Sequence, residues 1–260
     1  MAELKPIVLV TGASAGLGAA LAAAFAERGH SIVLVARREA QLKDVADGIA
    51  AQGHERPHVI ALDLALPDAG DRLERALGEA GLEPEIVVNN AGFGMLGPAA
   101  KLDRAQQLAM VDLNVRIATD LVLRFAESLA RRKGGILNVS SVLGFLPGPG
   151  MAVYHATKAY VLSFSEAMHQ ELKSQGVRVT ALAPGPVKTE FQARAGMPQG
   201  YFPRIMVRPA DRVAREGYEG LMRGKRIVIP GFNNRVAALL PRFLPHSLLL
   251  SIMGRRSGNV

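Results

Sequence analysis

Residues 6–18 read Pro6-Ile7-Val8-Leu9-Val10-Thr11-Gly12-Ala13-Ser14-Ala15-Gly16-Leu17-Gly18. A short run of Val, Ile and Leu with no polar partner until Thr11 has the look of a strand buried on both faces. The glycines after it permit a tight turn into a helix. They also let backbone N–H groups approach a pyrophosphate at the helix N-terminus. Gly12, Ser14, Gly16, Leu17 and Gly18 are therefore candidate cofactor-binding residues. A glycine-rich turn alone says little. Here it lies on a strand-to-helix junction at the start of a βαβ unit, the context such a turn requires.

The alternation continues outward. SIVLVA (31–36), HVIALD (58–63), EIVVNN (85–90), GILNVS (135–140), VRVTALA (177–183) and RIVIP (226–230) repeat the buried-strand pattern. Amphipathic stretches at 17–28, 39–51, 102–131 and 152–175 separate them, and Gly29, Gly53, Gly134 and Gly176 are placed to be left-handed helix caps. Pro209 opens a further helix before the seventh strand. Strand–helix alternation predicts an α/β fold: a doubly wound parallel sheet of about seven strands with helices on both faces, plus a C-terminal helical extension. The expected division is a domain at 1–231 and an apolar, basic extension at 232–260.

Composition narrows the chemistry. The chain has 260 residues, 49% hydrophobic and 21% charged, which is ordinary globular usage. It has no cysteine, which excludes disulfides, thiolate nucleophiles and Cys-ligated zinc, and no metal site is expected. The N-terminus runs straight into the first strand without a signal-peptide pattern, so a cytoplasmic location is expected. A net charge of +8 raises nucleic acid, anionic membrane and anionic ligands as partners. Arg235, Arg242, Arg255 and Arg256 in the acid-free segment 227–260 supply four of those charges. Elsewhere the basic residues are scattered among acids with few aromatics, a pattern that argues against a nucleic-acid groove.

The end of the second strand bears on the nucleotide. A carboxylate there binds the ribose 2′-OH of NAD. Here Ala36 is followed by Arg37 and Arg38, with no acid until Glu39. An arginine pair holds a 2′-phosphate that an acid would repel, so NADP (NADPH) is favoured over NAD. The alternative is a solvated basic pair at a helix start. Asp63 and Leu64 follow the third strand, where Asp63 either reads an adenine edge or caps a turn. After the fourth strand, Asn90, Ala91 and Gly92 are small enough to pack against a ribose, and Asn89 and Asn90 can tie strand ends together. Asn114 is a polar group inside an apolar stretch and needs partners, structural or catalytic.

A second stretch carries proton chemistry. Ser141 precedes a loop broken by proline and glycine, and then come Tyr154-His155-Ala156-Thr157-Lys158. Tyrosine and lysine four apart share a helix face. An ammonium beside a phenol lowers its pKa, so Tyr154 is expected to titrate closer to neutrality and to trade a proton with a carbonyl or alcohol oxygen.

TGASAGLG, NNAG, Asn114, Ser141 with Tyr154-xxx-Lys158, and Pro184-Gly185 follow the order and spacing of the short-chain dehydrogenase/reductase family. Over residues 5–230 the chain resembles that family's compact NAD(P)-dependent Rossmann-fold oxidoreductases. The resemblance implies a tetrad of Asn114, Ser141, Tyr154 and Lys158. Tyr154 would exchange a proton with the substrate, Lys158 would lower its pKa and bind the nicotinamide ribose, and Ser141 would hydrogen-bond the carbonyl oxygen. Asn114 would hold a water beside Lys158. Ser140 is the weaker serine candidate. Pro184, Gly185, Val187 and Thr189 would meet the nicotinamide carboxamide or a phosphate, unless this run only ends a strand. Homodimers or homotetramers are the expected assemblies. A catalytically silent NADP-binding regulator of the same fold is the alternative function, although such a protein would be expected to lose Tyr154, Lys158 or Ser141.

Two stretches fall outside the motifs. Residues 190–208 carry Phe191, Met197, Tyr201, Phe202 and Met206; with Phe145 and Leu146 they either wall an apolar substrate pocket or pack onto the domain. Residues 232–260 are too interrupted to span a membrane. They could pack on the cleft, form a dimer contact or make a peripheral membrane contact through their arginines.

Overall fold

The computed structural model describes residues 4–240 together with Pro245 and Leu250. Seven strands form one sheet: β1 (Lys5–Thr11), β2 (Ile32–Ala36), β3 (His58–Ala61), β4 (Leu82–Asn89), β5 (Gly135–Val139), β6 (Arg178–Leu182) and β7 (Ile227–Val228). Every pairing is parallel, in the order β3-β2-β1-β4-β5-β6-β7. The order reverses between β1 and β4, and such a reversal leaves a crevice at the carboxyl ends of the strands.

The helices are α1 (Gly16–Ala26), α2 (Glu39–Ala51), α3 (Ala69–Glu79), α4 (Arg104–Val111), α5 (Ile117–Arg131), α6 (Ala152–Glu171), α7 (Phe191–Arg194), α8 (Ala210–Met222) and α9 (Phe232–Leu239). Successive strand side chains point to opposite faces. Val8 and Val10 therefore join a core with Leu21 and Phe25 of α1, Leu42 of α2 and Leu221 of α8. Ile7 and Leu9 join the opposite core with Leu73 of α3, Leu121 and Phe125 of α5 and Met168 of α6. Two buried faces explain the nearly continuous apolar runs.

Several expectations are corrected. HVIALD is not buried throughout: β3 is the sheet edge, and His58 and Ala61 are exposed. The stretch 102–131 is helical from Arg104 to Arg131, but its register is not constant. Between α4 and α5, Asp112–Arg116 forms a π-helical turn, in which Ile117 N–H donates to the Asp112 carbonyl five residues back. That extra residue turns Asn114 inward, and π turns of this kind recur at functional sites. Gly134 is not a left-handed cap, although Gly29, Gly53 and Gly176 do have positive φ; Lys133 takes that conformation, at φ 48°. Gly134 is needed for a different reason: a Cβ there would stand 1.8 Å from the Glu85 carbonyl oxygen.

The C-terminal extension begins as α9, anchored by Asn234, whose Nδ2 donates to Pro230 O at 2.9 Å and Met206 O at 3.2 Å. The rest of the extension, including Arg242, Arg255 and Arg256, lies outside the described residues apart from Pro245 and Leu250. Among the described residues no helix is long and apolar enough to cross a membrane.

Because backbone, not a flexible side chain, blocks the added methyl, Gly134→Ala is expected to destabilise by about 1–3 kcal/mol, the usual cost of overpacking. A thermal melt should show a drop of roughly 2–10 °C. An unchanged melting temperature would mean that β4 and the α5–β5 turn can separate freely at this point.

Candidate active site

A cavity of about 460 Å³ opens at the carboxyl ends of the strands. One end is the glycine turn. Gly12 and Gly16 have φ of 64° and 59°, which a side chain rarely adopts, and a Cβ on Gly18 would lie 2.3 Å from the Gly12 carbonyl oxygen. The turn is tied across the sheet. Thr11 Oγ1 donates to Val88 O at 3.2 Å and accepts from the backbone N–H of Asn90 and Ala91, each at 3.0 Å. Asn90 Nδ2 donates to Thr11 O at 2.9 Å and Gly12 O at 3.2 Å. Asn90 thus fixes the strand ends, while Ala91 and Gly92 border the cavity with Gly12, Ser14, Gly16, Leu17 and Gly18.

Arg37, Arg38, Asp63 and Leu64 close this end. Arg38 donates to Ser14 Oγ at 3.0 Å and pairs with Glu190 at 3.6 Å, and the exposed Arg37 lies 3.8 Å from Asp63. Asp63 also accepts from Ala65 N–H at 3.0 Å, so its carboxylate holds the local turn. Leu64 is buried. No carboxylate stands at the end of β2. Glycines of positive φ at a helix N-terminus suit the pyrophosphate of a dinucleotide, and two arginines close the far end.

The proton-active groups sit midway. Tyr154 and Lys158, one turn apart on α6, are both buried. Ser141 caps the turn Val142–Phe145 by accepting from Leu143 N–H at 3.1 Å, and it hydrogen-bonds Tyr154. Lys158 Nζ donates to Val139 O at 2.8 Å and lies 5.8 Å from the Tyr154 ring centre. Asn114 accepts from Phe93 N–H at 3.1 Å and donates to Phe93 O and Thr157 Oγ1, each at 3.0 Å. Its Oδ1 would be 2.8 Å from a Cβ on Gly92, and Lys158 Nζ 3.5 Å from the same point, so Asn114, Gly92 and Lys158 converge. Ser140 is spent structurally, donating to Lys158 O at 2.7 Å.

The expected downward shift of Tyr154 is reversed. Burial pushes the phenol above its ordinary value, and the Ser141 hydrogen bond offsets only part of that. Desolvation acts on the lysine as well, lowering Lys158 to about 8. Both charged forms are removed from water, and the ammonium is aimed at a carbonyl rather than at the phenol oxygen.

Pro184, Gly185, Val187 and Thr189 line the cavity beside Lys158. Val187 is bridged to Arg208, and Gly185 lies against Asn234, where a Cβ would meet its Oδ1 at 2.3 Å. Beyond Tyr154 the lining mixes apolar side chains, Leu143, Phe191, Met197 and Phe202, with the polar Glu190, Gln192 and Arg194. Phe191 packs on Tyr154 with ring centres 5.5 Å apart. Phe145 and Leu146 do not line the cavity; the turn presents Val142 and Leu143 instead, because Ser141 capping winds it that way. Tyr201 backs Phe202 edge-on, and Met206 offers its carbonyl to Asn234.

Sequence reasoning missed the supports. Asn138 accepts from Asn89 at 2.9 Å and donates to Ser165 at 2.9 Å, joining β4, β5 and α6 beneath the site. Polar residues inside a buried strand and a buried helix face were the available signal. His155 and Asn234 were also missed. Among the described residues there is no cluster of three or more metal-ligating side chains.

A family model described as short chain dehydrogenase matches residues 6–199. Sulfoacetaldehyde reductase 2 of Chromohalobacter salexigens is 36% identical over 191 residues, 72% of this chain and 75% of that protein. Very-long-chain 3-oxoacyl-CoA reductase of Rattus norvegicus is 36% identical over 190 residues, 70% of this chain, and the chain spans 60% of that protein's length. The solved short-chain dehydrogenase from Sphingobium yanoikuyae in complex with NADPH matches with a TM-score of 0.80 and 33% identity, covering 95% of each chain.

The buried lysine has a measurable consequence without any ligand. The folded chain loses the Lys158 proton at about 8, whereas an unperturbed lysine keeps it to 10.5. In that window the unfolded chain binds more protons, so unfolding free energy rises with pH. Urea denaturation at pH 8 and pH 10 should show this rise in the wild type and a smaller one in Lys158→Met. Identical pH dependence in the two proteins would mean that Lys158 is not desolvated.

Proposed function

The chain belongs to the short-chain dehydrogenase family and is an oxidoreductase of the ketone–alcohol type, and from that premise we propose that it is an NADP(H)-dependent enzyme acting on a lipophilic ketone or aldehyde and its alcohol. One observation carries this reading. Tyr154, Ser141 and Lys158 meet in one cavity, between a glycine turn with two arginines and an apolar end. A catalytically silent regulator would have no use for that convergence.

Each residue has a physical role in the proposal. The glycine turn and the N-terminus of α1 hold the pyrophosphate, and Arg37, Arg38 and Ser14 hold the 2′-phosphate by charge-assisted hydrogen bonds. Asn90, Ala91 and Gly92 shape the ribose wall, while Pro184, Gly185, Val187 and Thr189 face the nicotinamide end. The bound cofactor supplies or accepts the hydride. Ser141 directs a neutral donor at the substrate oxygen as negative charge develops there. Tyr154 gives that oxygen a proton in reduction and takes it back in oxidation. Burial that raises the phenol keeps the donor loaded for reduction. Lys158 binds the nicotinamide ribose, and with its charge restored it favours the phenolate for oxidation. Asn114, fixed by Phe93 and Thr157, holds the water that connects Lys158 to solvent.

Leu143, Phe191, Met197 and Phe202 support a lipophilic substrate, because apolar side chains gain from covering apolar surface, and Gln192 and Arg194 beside them are left for its polar part. The name of the rat relative agrees with that class, and NADPH in the Sphingobium structure agrees with the two arginines.

Purified protein should bind NADPH and oxidise it with lipophilic ketones. Tyr154→Phe should lower turnover by about 10²–10⁴-fold, the usual share of a positioned proton donor, with NADPH affinity within threefold of wild type. Turnover that survives would remove Tyr154 from this role. Arg37→Ala and Arg38→Ala together should weaken NADPH by roughly 10–100-fold, as expected for lost hydrogen bonds to a charged group, and NADH by much less. Equal losses for both cofactors would place the 2′-phosphate elsewhere.

A further inference from the structure

We propose that His155, next to the tyrosine, is a positioning residue that clamps the segment 142–148 against α6 and thereby sets the substrate wall formed by Val142 and Leu143. The inference rests on the ketone–alcohol reading of this cavity and adds a specificity-determining residue to it. His155 is buried, and its ring lies on the side of α6 that meets the loop rather than solvent. Nδ1 is 2.9 Å from the Leu146 carbonyl oxygen, and the Leu143 carbonyl is close enough to the ring to raise its pKa against burial. Gly148 closes on it from the third side: a Cβ there would lie 2.1 Å from Nε2 and 2.2 Å from Cδ2. One side chain thus touches three points spread over six residues of the loop.

The loop has fewer backbone donors than its length would give. Pro147 and Pro149 have no N–H to donate. Backbone hydrogen bonds reach the loop's far end at Gly148 and Gly150, from Met151 N–H at 3.0 Å and Gly97 N–H at 2.7 Å. Its near end is wound by Ser141 into the turn Val142–Phe145, against which α9 also packs. His155 links these two ends. Burial lowers the imidazole below its ordinary pKa, the Leu146 and Leu143 carbonyls oppose that shift, and Nδ1 is the ring atom that faces Leu146. The segment it holds carries Val142 and Leu143 into the cavity beside Tyr154. A shift of Leu143 changes the width of the apolar end without touching the glycine turn or the arginines.

The substitution His155→Leu keeps the ring's bulk roughly and removes the hydrogen bond to Leu146 and the polar approach to Leu143; His155→Asn retains a donor near Nδ1. Hydrogen exchange of peptides covering 142–151, in protein without ligands, reads the clamp directly. Exchange should quicken at least tenfold in His155→Leu, with peptides from β1 and β4 unchanged, and return toward wild type in His155→Asn. Kinetics with a lipophilic ketone should show KM raised tenfold or more in His155→Leu, kcat within threefold and NADPH Kd within twofold, with Asn again restoring KM. Gly148→Ala, which presses on the same ring, should raise KM in the same direction. Unchanged exchange in His155→Leu would overturn the clamp whatever the activity. Quickened exchange with an unchanged KM would overturn the role toward substrate. Wild-type protein that binds NADPH but reduces no ketone would count against the proposed function, and the exchange measurement would still decide the clamp.

Discussion

A buried ammonium with a carbonyl for a partner is the constraint on which the site depends. Lys158 Nζ donates to Val139 O at the end of β5, and among the described residues it forms no ion pair with a carboxylate. The same residue is held through its backbone, where Ser140 Oγ donates to Lys158 O. Gly144 must lack a side chain, since a Cβ there would stand 2.7 Å from that oxygen. Side chain and backbone of one residue therefore pin α6 to β5. Tyr154, one turn earlier on a rigid helix, inherits that position to within the play of its own two torsions. The cost is desolvation of a cation, which appears as the lowered pKa of Lys158 rather than as an ion pair.

A layer of amides beneath the site performs the same task for the strands. Asn89 and Asn138 are register partners across β4 and β5, and their side chains hydrogen-bond as well. Ser165 extends that line into α6, and on the other side Thr11 and Asn90 stitch β4 to β1. Buried polar groups strongly penalise any arrangement that leaves them unpaired. A slip of one residue in β4 against β5 would strand both amides, so the network specifies register more sharply than apolar contacts can. These ties end where the cavity begins, which puts the most over-determined part of the sheet directly under the reacting groups.

The parts of this design that are local in sequence were legible there. Strands β1, β2 and β4 to β6 each contain a short, mostly apolar run, and the glycine turn and the Tyr154–Lys158 spacing each lie within a few residues. What escaped depends on partners far along the chain. Asn138 and Ser165 look like ordinary polar intrusions until β5 and α6 are brought together, and His155 looks like a surface residue until the loop folds onto it. The π turn shows only in the fold, where the apolar Val111 is 38% exposed and the polar Asn114 is 2% exposed. A helix read with a constant period passes over that slip. The direction of the Tyr154 shift was misjudged because sequence shows that a lysine is near and not where its ammonium points.

Charge at the arginine end follows the opposite logic to that at Lys158. Arg37 faces Asp63 and Arg38 faces Glu190, all in partly exposed positions. Ion pairs of that kind contribute about 0–1 kcal/mol, so little holds them closed. A phosphate offers each guanidinium several acceptor oxygens in the fork geometry it prefers, and hydrogen bonds to a charged group contribute about 1.5–3 kcal/mol. On the proposed cofactor the arginines would therefore exchange weak partners for stronger ones. Glu190 also pairs with Arg194 on α7, the short helix that starts at Phe191 against Tyr154. Release of Arg38 by Glu190 would leave that carboxylate to Arg194 alone, so the phosphate end and the apolar wall are joined through two arginines and one acid.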